Sequence, residues 1–243
     1  MALSTKDVKS GEGGLPKTIQ PGNTKAVILG VSLNQPPFLK EKDGYFVVLE
    51  LLGPKPAEDF EGFLIDKDNP DGPRYDGPVG RIKSSRWAYQ DGTTKSGVAI
   101  SRDTEIMKFI KNLCEELGGK AKAWWDASDN KYETIEDLVE AFNNDAPFKG
   151  VSLEFCICGR GYHNAEGYVN YDLYLPKFSK QGIPFEAAGK AKSRLLVFDE
   201  DEHVEQPEAR EVEEFSGDEG ETSTTEGDDF PSPGDTPPVE FEL

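Results

Sequence analysis

Asp103-Thr104-Glu105-Ile106-Met107-Lys108-Phe109-Ile110-Lys111-Asn112-Leu113-Cys114-Glu115-Glu116-Leu117-Gly118 is the stretch on which the fold turns. Ile106, Phe109, Ile110, Leu113, Cys114 and Leu117 fall at i, i+3, i+4, i+7, i+8 and i+11, one stripe of an amphipathic helix. Asp103 or Thr104 is placed to cap its start and Gly118 to end it. The chain before it is of β type. Residues 25–33 put Val27, Leu29, Val31 and Leu33 on one face, and Asn34-Gln35-Pro36-Pro37 stops the run, since proline cannot donate to a ladder. Residues 45–52 are a denser apolar run and residues 60–65 a third candidate strand. A stretch rich in Asp, Gly and Pro follows over 66–78, then residues 79–89 read as a fourth strand closed by Asp91-Gly92. Beyond the helix comes a shorter one from Thr134, with Ile135, Leu138, Val139 and Phe142 as its apolar face. Thr134 and Asp137 stand at capping-box spacing. Trp124-Trp125 reads as core or helix packing. Strand character then returns. Val151, Leu153, Phe155 and Ile157 share one face, and Ser152, Glu154, Cys156 and Cys158 the other. Residues 159–167 read as a hairpin loop, and 168–175 as the return strand, with Val169, Tyr171, Leu173 and Leu175 inward.

Several strands, a helical connection and two closing strands is the order of an OB-fold, a small Greek-key barrel with its helix between the third and fourth strands. The predicted class is mainly β with two helices, an OB-fold-like barrel over residues 24–198. The fourth strand candidate requires an extra hairpin or a split strand. A flexible segment over 1–23 and a disordered acidic tail over 199–243 flank it.

The tail dominates the charge. It holds eighteen of the chain's forty-six Asp and Glu but one of its twenty-seven Lys and Arg, so it carries 17 of the 19 net negative charges. The remaining 198 residues are almost neutral, with 26 basic and 28 acidic groups. No stretch approaches the roughly 20 apolar residues of a membrane span, and the leading segment lacks the apolar run of a signal peptide. Three cysteines with no repeated spacing fit reduced thiols. The expectation is a soluble cytoplasmic protein, in the host cytoplasm if viral, without a membrane partner.

Catalytic patterns are missing from the sequence. There is no glycine-rich phosphate loop and no Gly-x-Ser-x-Gly elbow, and neither His163 nor His203 stands in a recognised motif. Asp66, Asp68 and Asp71, the carboxylates a metal-dependent nuclease would need, read as a solvated turn. Cys156, Cys158 and His163, with Cys114 as a fourth ligand, have the residue types of a zinc site but not a usual spacing. Alternate cysteines on a half-buried strand also serve as small core residues, so zinc stays open. No catalytic residue, metal ligand or cofactor is assigned.

The positive signal is the segment 80–102. On a strand, alternation gathers Arg81, Lys83, Ser85, Trp87 and Tyr89 on one face. Arg86 points the other way unless a bulge re-aims it. Lys95 and Arg102 add to the segment's charge. Cations follow phosphates, and an indole or phenol stacks on any base. A solvated edge strand whose Trp87 and Tyr89 cover the end of the barrel is the competing reading. Arg160, Tyr162 and His163 in the hairpin loop repeat the mixture, as do Lys177, Phe178 and Lys180 after the last strand. Together they make a basic, aromatic-studded side, the footprint expected for nucleic acid.

A polyanion tethered beside such a side competes with nucleic acid for it at high effective concentration. Released, its apolar tips at Asp228-Asp229-Phe230 and Phe241-Glu242-Leu243 are free to dock to a partner. With Tyr89-Gln90-Asp91-Gly92-Thr93-Thr94-Lys95-Ser96-Gly97 and Tyr171-Asp172-Leu173-Tyr174-Leu175-Pro176-Lys177-Phe178, the chain resembles phage-type single-stranded DNA-binding proteins. The resemblance implies an OB-fold body that binds single-stranded DNA in replication, recombination or repair. It also implies an acidic tail that recruits a DNA polymerase or helicase. In the bacterial relatives the tail ends in Pro-Phe, whereas here Phe241 is followed by Glu242-Leu243 and Pro231 follows Phe230, so which tip docks stays open. Oligomeric state is likewise open, a homodimer included. The alternative function is a structural or chaperone-like interaction protein whose tail binds basic partners.

Overall fold

The computed structural model describes residues 15–66, 68–165 and 167–207. Strand β1 (Gly22–Asn34) leads through a one-turn helix α1 (Pro37–Lys40) to β2 (Phe46–Leu52). A two-stranded ribbon, β3 (Phe63–Leu64) with β4 (Arg74–Tyr75), precedes β5 (Val79–Lys83). A small hairpin, β6 (Gly92–Thr93) with β7 (Ala99–Ile100), then enters the helices α2 (Arg102–Leu117), α3 (Gly119–Asp126) and α4 (Ile135–Asp145). The long strands β8 (Ser152–His163) and β9 (Val169–Tyr174) follow. β10 (Phe185–Ala187), α5 (Glu200–His203) and β11 (Val204–Glu205) close the described chain. The fold is mainly β, and the described residues contain five helices where two were expected. The additions are the brief α1 and α5, which have no room for an amphipathic period, and α3, which follows α2 after a single glycine.

The main sheet is mixed. β1 pairs with β2, β2 with β5, β9 with β8 and β8 with β1, all antiparallel, while β5 meets β9 in parallel. Those pairings form a ring. β1 is long enough to serve both neighbours, residues 22–27 facing β8 and residues 27–34 facing β2. Where its outer edge is left without a strand, Asn143 of α4 replaces one: its carboxamide oxygen accepts from Val31 N–H at 2.8 Å and its NH₂ donates to Val31 C=O. The backbone groups there are thus satisfied without a further strand.

The interior is lined by Ile28 and Val31 of β1, Val47, Leu49 and Leu51 of β2, Ile82 of β5, and Leu153, Phe155 and Ile157 of β8. α2 covers it with all six residues of the predicted stripe, each buried. Its cap is Ser101, whose hydroxyl accepts from Thr104 N–H, two residues before Asp103 and three before Thr104, the expected caps. Thr134 caps α4 as expected, accepting from Asp137 N–H at 3.1 Å and donating to its carboxylate at 2.7 Å. Trp124 packs edge-on against Phe142 and stacks on Tyr132.

Three expectations are corrected. In β1 the register shifts between Ile28 and Gly30, so Leu29 is an extra residue and 42% exposed. Ala26 and Ile28 turn inward instead of Val27 and Leu29, as a one-residue bulge requires. The leading segment joins the fold by residue 17: Val79 N–H donates to Lys17 C=O, Ile19 N–H donates to Val79 C=O, and Ile19 enters the core. Finally, the packed unit runs past residue 199, since α5 and β11 belong to it.

Candidate nucleic-acid interface

β5 presents Ile82 inward and Arg81 and Lys83 on its outer face, as strand alternation dictates. Neither cation stands alone. Arg81 lies 3.6 Å from Glu50, its register partner on β2. Lys83 donates to Asp172 at 2.7 Å and sits 4.7 Å from the centre of the Phe46 ring.

The strand ends at Lys83, so the expected alternation to residue 89 does not continue. A bend over 84–87 re-aims the side chains. It swings Arg86 over the Trp87 ring, 5.1 Å from its centre, and leaves Trp87 64% exposed. Tyr89 turns into the fold. Its backbone exchanges two hydrogen bonds with Tyr45, its phenol oxygen accepts from the Ser84 hydroxyl at 3.1 Å, and its ring packs on the core. Burial raises its phenol pKa, and the Ser84 bond only partly offsets this. Arg102 is also committed inward. It pairs with Asp43 at 2.6 Å and Asp103 at 2.7 Å and lies over the Tyr45 ring, tying the start of α2 to the loop after α1.

Trp87 borders a groove of about 390 Å³, shared with Ser85, Tyr89, Asp91, Thr93, Ile100, Glu105 and Lys177. Lys177 comes from beyond β9, so the fold brings together a cation and an indole ninety residues apart in sequence. Lys95 stands in the turn of the β6–β7 hairpin, where Gly97 takes φ +81° and donates to Thr94 C=O. Lys95 is exposed and has no ion-pair partner among the described residues.

From Arg86 the surface continues onto β8. Glu205 of β11 pairs with Arg86 and also lies 3.8 Å from Arg160. β11 runs parallel to β8 at Gly159 and Arg160. This approach needs glycine at 161, where a Cβ would lie 2.6 Å from Pro207 Cδ. A second cavity, about 620 Å³, opens here among Arg160, Tyr162, His163, Asp172, Glu205 and Pro207. Tyr162 is 50% exposed, and Tyr168, across the same hairpin, 68%. Tyr168 escaped the sequence reading, which made it the first residue of the return strand; β8 runs on to His163, so Tyr162 is a strand residue and Tyr168 stands just before β9. Tyr174 belongs to the same patch, its phenol pKa raised by burial first and then by Cys158 and Glu205, against the lowering effect of Arg86.

The other predicted residues lie elsewhere. Phe178 packs edge-on against Phe185 of the core, 5.4 Å between ring centres, and Lys180 is exposed in the turn bridged by Ser179 N–H and Gly182 C=O. Asp228, Asp229, Phe230, Phe241 and Leu243 lie outside the described residues. Among the described residues no three His, Cys, Asp or Glu side chains come together as a metal site. Cys114, Cys156 and Cys158 are buried and unbridged, and burial pushes their thiols to about 12, 11 and 12. His163 Nδ1 lies 3.2 Å from Gly167 C=O. Asp66 accepts from Asp68 N–H at 2.9 Å, a local turn. No described helix is long and apolar enough to cross a membrane. No family model, curated protein or solved structure matches the chain.

Proposed function

We propose that this chain binds single-stranded DNA without sequence preference, on an OB-fold barrel, in phage replication, recombination or repair. The ring of pairings β1–β2–β5–β9–β8, with its parallel β5–β9 contact, supports the barrel. The carrying observation is Trp87: an indole left two-thirds in water, backed by Arg86 and flanked across a groove by Lys177. Exposed aromatics beside cations suit bases stacking while the backbone is tracked. Trp87, Arg86, Lys177, Lys95, Arg160 and Tyr162 form the proposed contact set, with Tyr168 added. Arg81 and Lys83, already paired, would exchange Glu50 and Asp172 for phosphates. Tyr89 and Arg102 hold the set in place.

The tail's role as competitor draws support from its first residues. The Glu205 carboxylate occupies the positive charges that Arg86 and Arg160 would otherwise offer to a phosphate. Recruitment of a polymerase or helicase rests on residues 228–243 and stays part of the same reading. Titrating Trp fluorescence with oligo-dT tests it: binding should quench, and log K should fall with log salt at about −0.7 per phosphate neutralised. An absence of binding at low salt refutes it. Association with a basic protein instead would favour the interaction-module reading.

A further inference from the structure

Phe38 is the most exposed aromatic side chain among the described residues, at 70%. A single exposed apolar ring carries no message by itself, but one beside exposed cations and close to a second exposed aromatic suits a base that stacks on it. The ring is fixed. Pro36 and Pro37 restrict the entry to α1, and Leu39, next to Phe38, is buried in a satellite cluster with Phe46 and Val48. The exit is tied by Lys42 and Gly44, whose N–H groups donate to Leu39 C=O. Arg102 then holds Asp43 through both carboxylate and carbonyl.

The loop carries two exposed cations, Lys40 and Lys42, on either side of one exposed carboxylate, Glu41. Lys40 and Lys42 are exposed, and neither side chain has an ion-pair partner among the described residues. The nearby Asp43 carboxylate is engaged by Arg102. The loop also adjoins the proposed groove. Ala88, the residue after Trp87, packs against the Leu39 cluster, and a Cβ at Gly44 would lie 3.3 Å from Tyr89 C=O. The Trp87 bend and the Phe38 helix are therefore shoulder to shoulder.

We infer that the α1 loop is a second stacking platform for single-stranded nucleic acid. Phe38 takes a base and Lys40 and Lys42 the flanking phosphates, continuing the strand beyond Trp87. The inference rests on the binding reading above, and the test separates the two. Fluorescein-labelled oligo-dT of about four and about sixteen nucleotides, the span of one OB-fold footprint, is titrated by anisotropy with wild type, Phe38→Ala, Trp87→Ala and Lys40→Gln/Lys42→Gln. Phe38→Ala should weaken the long oligonucleotide roughly 5- to 150-fold, with little effect on the short one. The double lysine variant should make the salt slope shallower by about 1.4. If Trp87→Ala loses affinity while Phe38→Ala and the lysine variant match wild type at both lengths, the second platform is refuted and the binding function stands. If wild type binds neither oligonucleotide, both fall. A Phe38→Ala change in sedimenting mass without loss of affinity would assign the ring to a second copy and overturn the inference.

Discussion

Replacing Glu205 by Gln keeps the shape of the β11 segment and removes its charge from between Arg86 and Arg160. The three side chains are 39%, 38% and 67% exposed, so each ion pair is solvent-screened and worth about 0.2–1 kcal/mol. If both pairs must break before a phosphate takes the two guanidinium groups, the variant gains about 0.4–2 kcal/mol in binding, a roughly 2- to 30-fold lower Kd for oligo-dT. Two further cations become available to release counterions. The slope of log K against log salt should therefore steepen by up to about 1.4, and the gain should shrink as salt rises. Anisotropy titrations between low and moderate salt read both quantities. Glu58→Gln is the control. It removes the same charge from an exposed loop carboxylate with no ion pair among the described residues. Equal gains from both variants would reduce the effect to net charge. An unchanged or higher Kd for Glu205→Gln, at an unchanged melting temperature, would refute the competing role of this segment.

Trp87→Ala should lower oligo-dT affinity by roughly 5- to 150-fold with almost no change in melting temperature, because its ring is mostly in water; a large stability loss would mark it as a packing residue. Glu186→Gln should destabilise the fold by about 1–3 kcal/mol in urea unfolding. Glu186 is 1% exposed; burial alone would raise its pKa, but the Ser193 hydroxyl, the Arg194 and Leu195 N–H groups and Lys190 hold it below the usual carboxylate range. A depressed folded pKa gives stability that is present above about pH 4.3 and lost as pH falls through the folded value. The gap between wild type and Glu186→Gln should therefore close in acid, and a gap independent of pH would contradict this. Leu49→Ala, at a fully buried position, should cost about 2–5 kcal/mol. At pH 8 the native protein should react with no thiol reagent, then release three equivalents on denaturation, since burial holds all three cysteines protonated.

Periodicity carries the pattern of a single local element, so it located α2 and α4 almost to the residue and placed Leu153, Phe155 and Ile157 correctly inward. It cannot see a bulge. Leu29 is as apolar as Ile28, and only pairing with β2 decides which of them the core receives. The same limit shaped the site. From sequence, Arg81 to Tyr89 is one alternating strand; in the structure β5 stops at Lys83, because the chain must turn there to lay Tyr89 beside Tyr45. That bend stacks Arg86 on Trp87, while Tyr89 and Arg102 are absorbed into packing.

Composition alone determined that charge divides between a neutral body and an acidic tail, and that cations and aromatics gather in three separate stretches. Tertiary structure decided which of them meet, Lys177 with Trp87 and Arg160 with Arg86 through Glu205, and it set the α1 loop against the same bend by packing Ala88 on the Leu39 cluster. The reason is that spacing along the chain sets which face a side chain takes, whereas proximity between distant segments depends on strand pairing. That pairing follows from the summed packing of a core no single segment encodes.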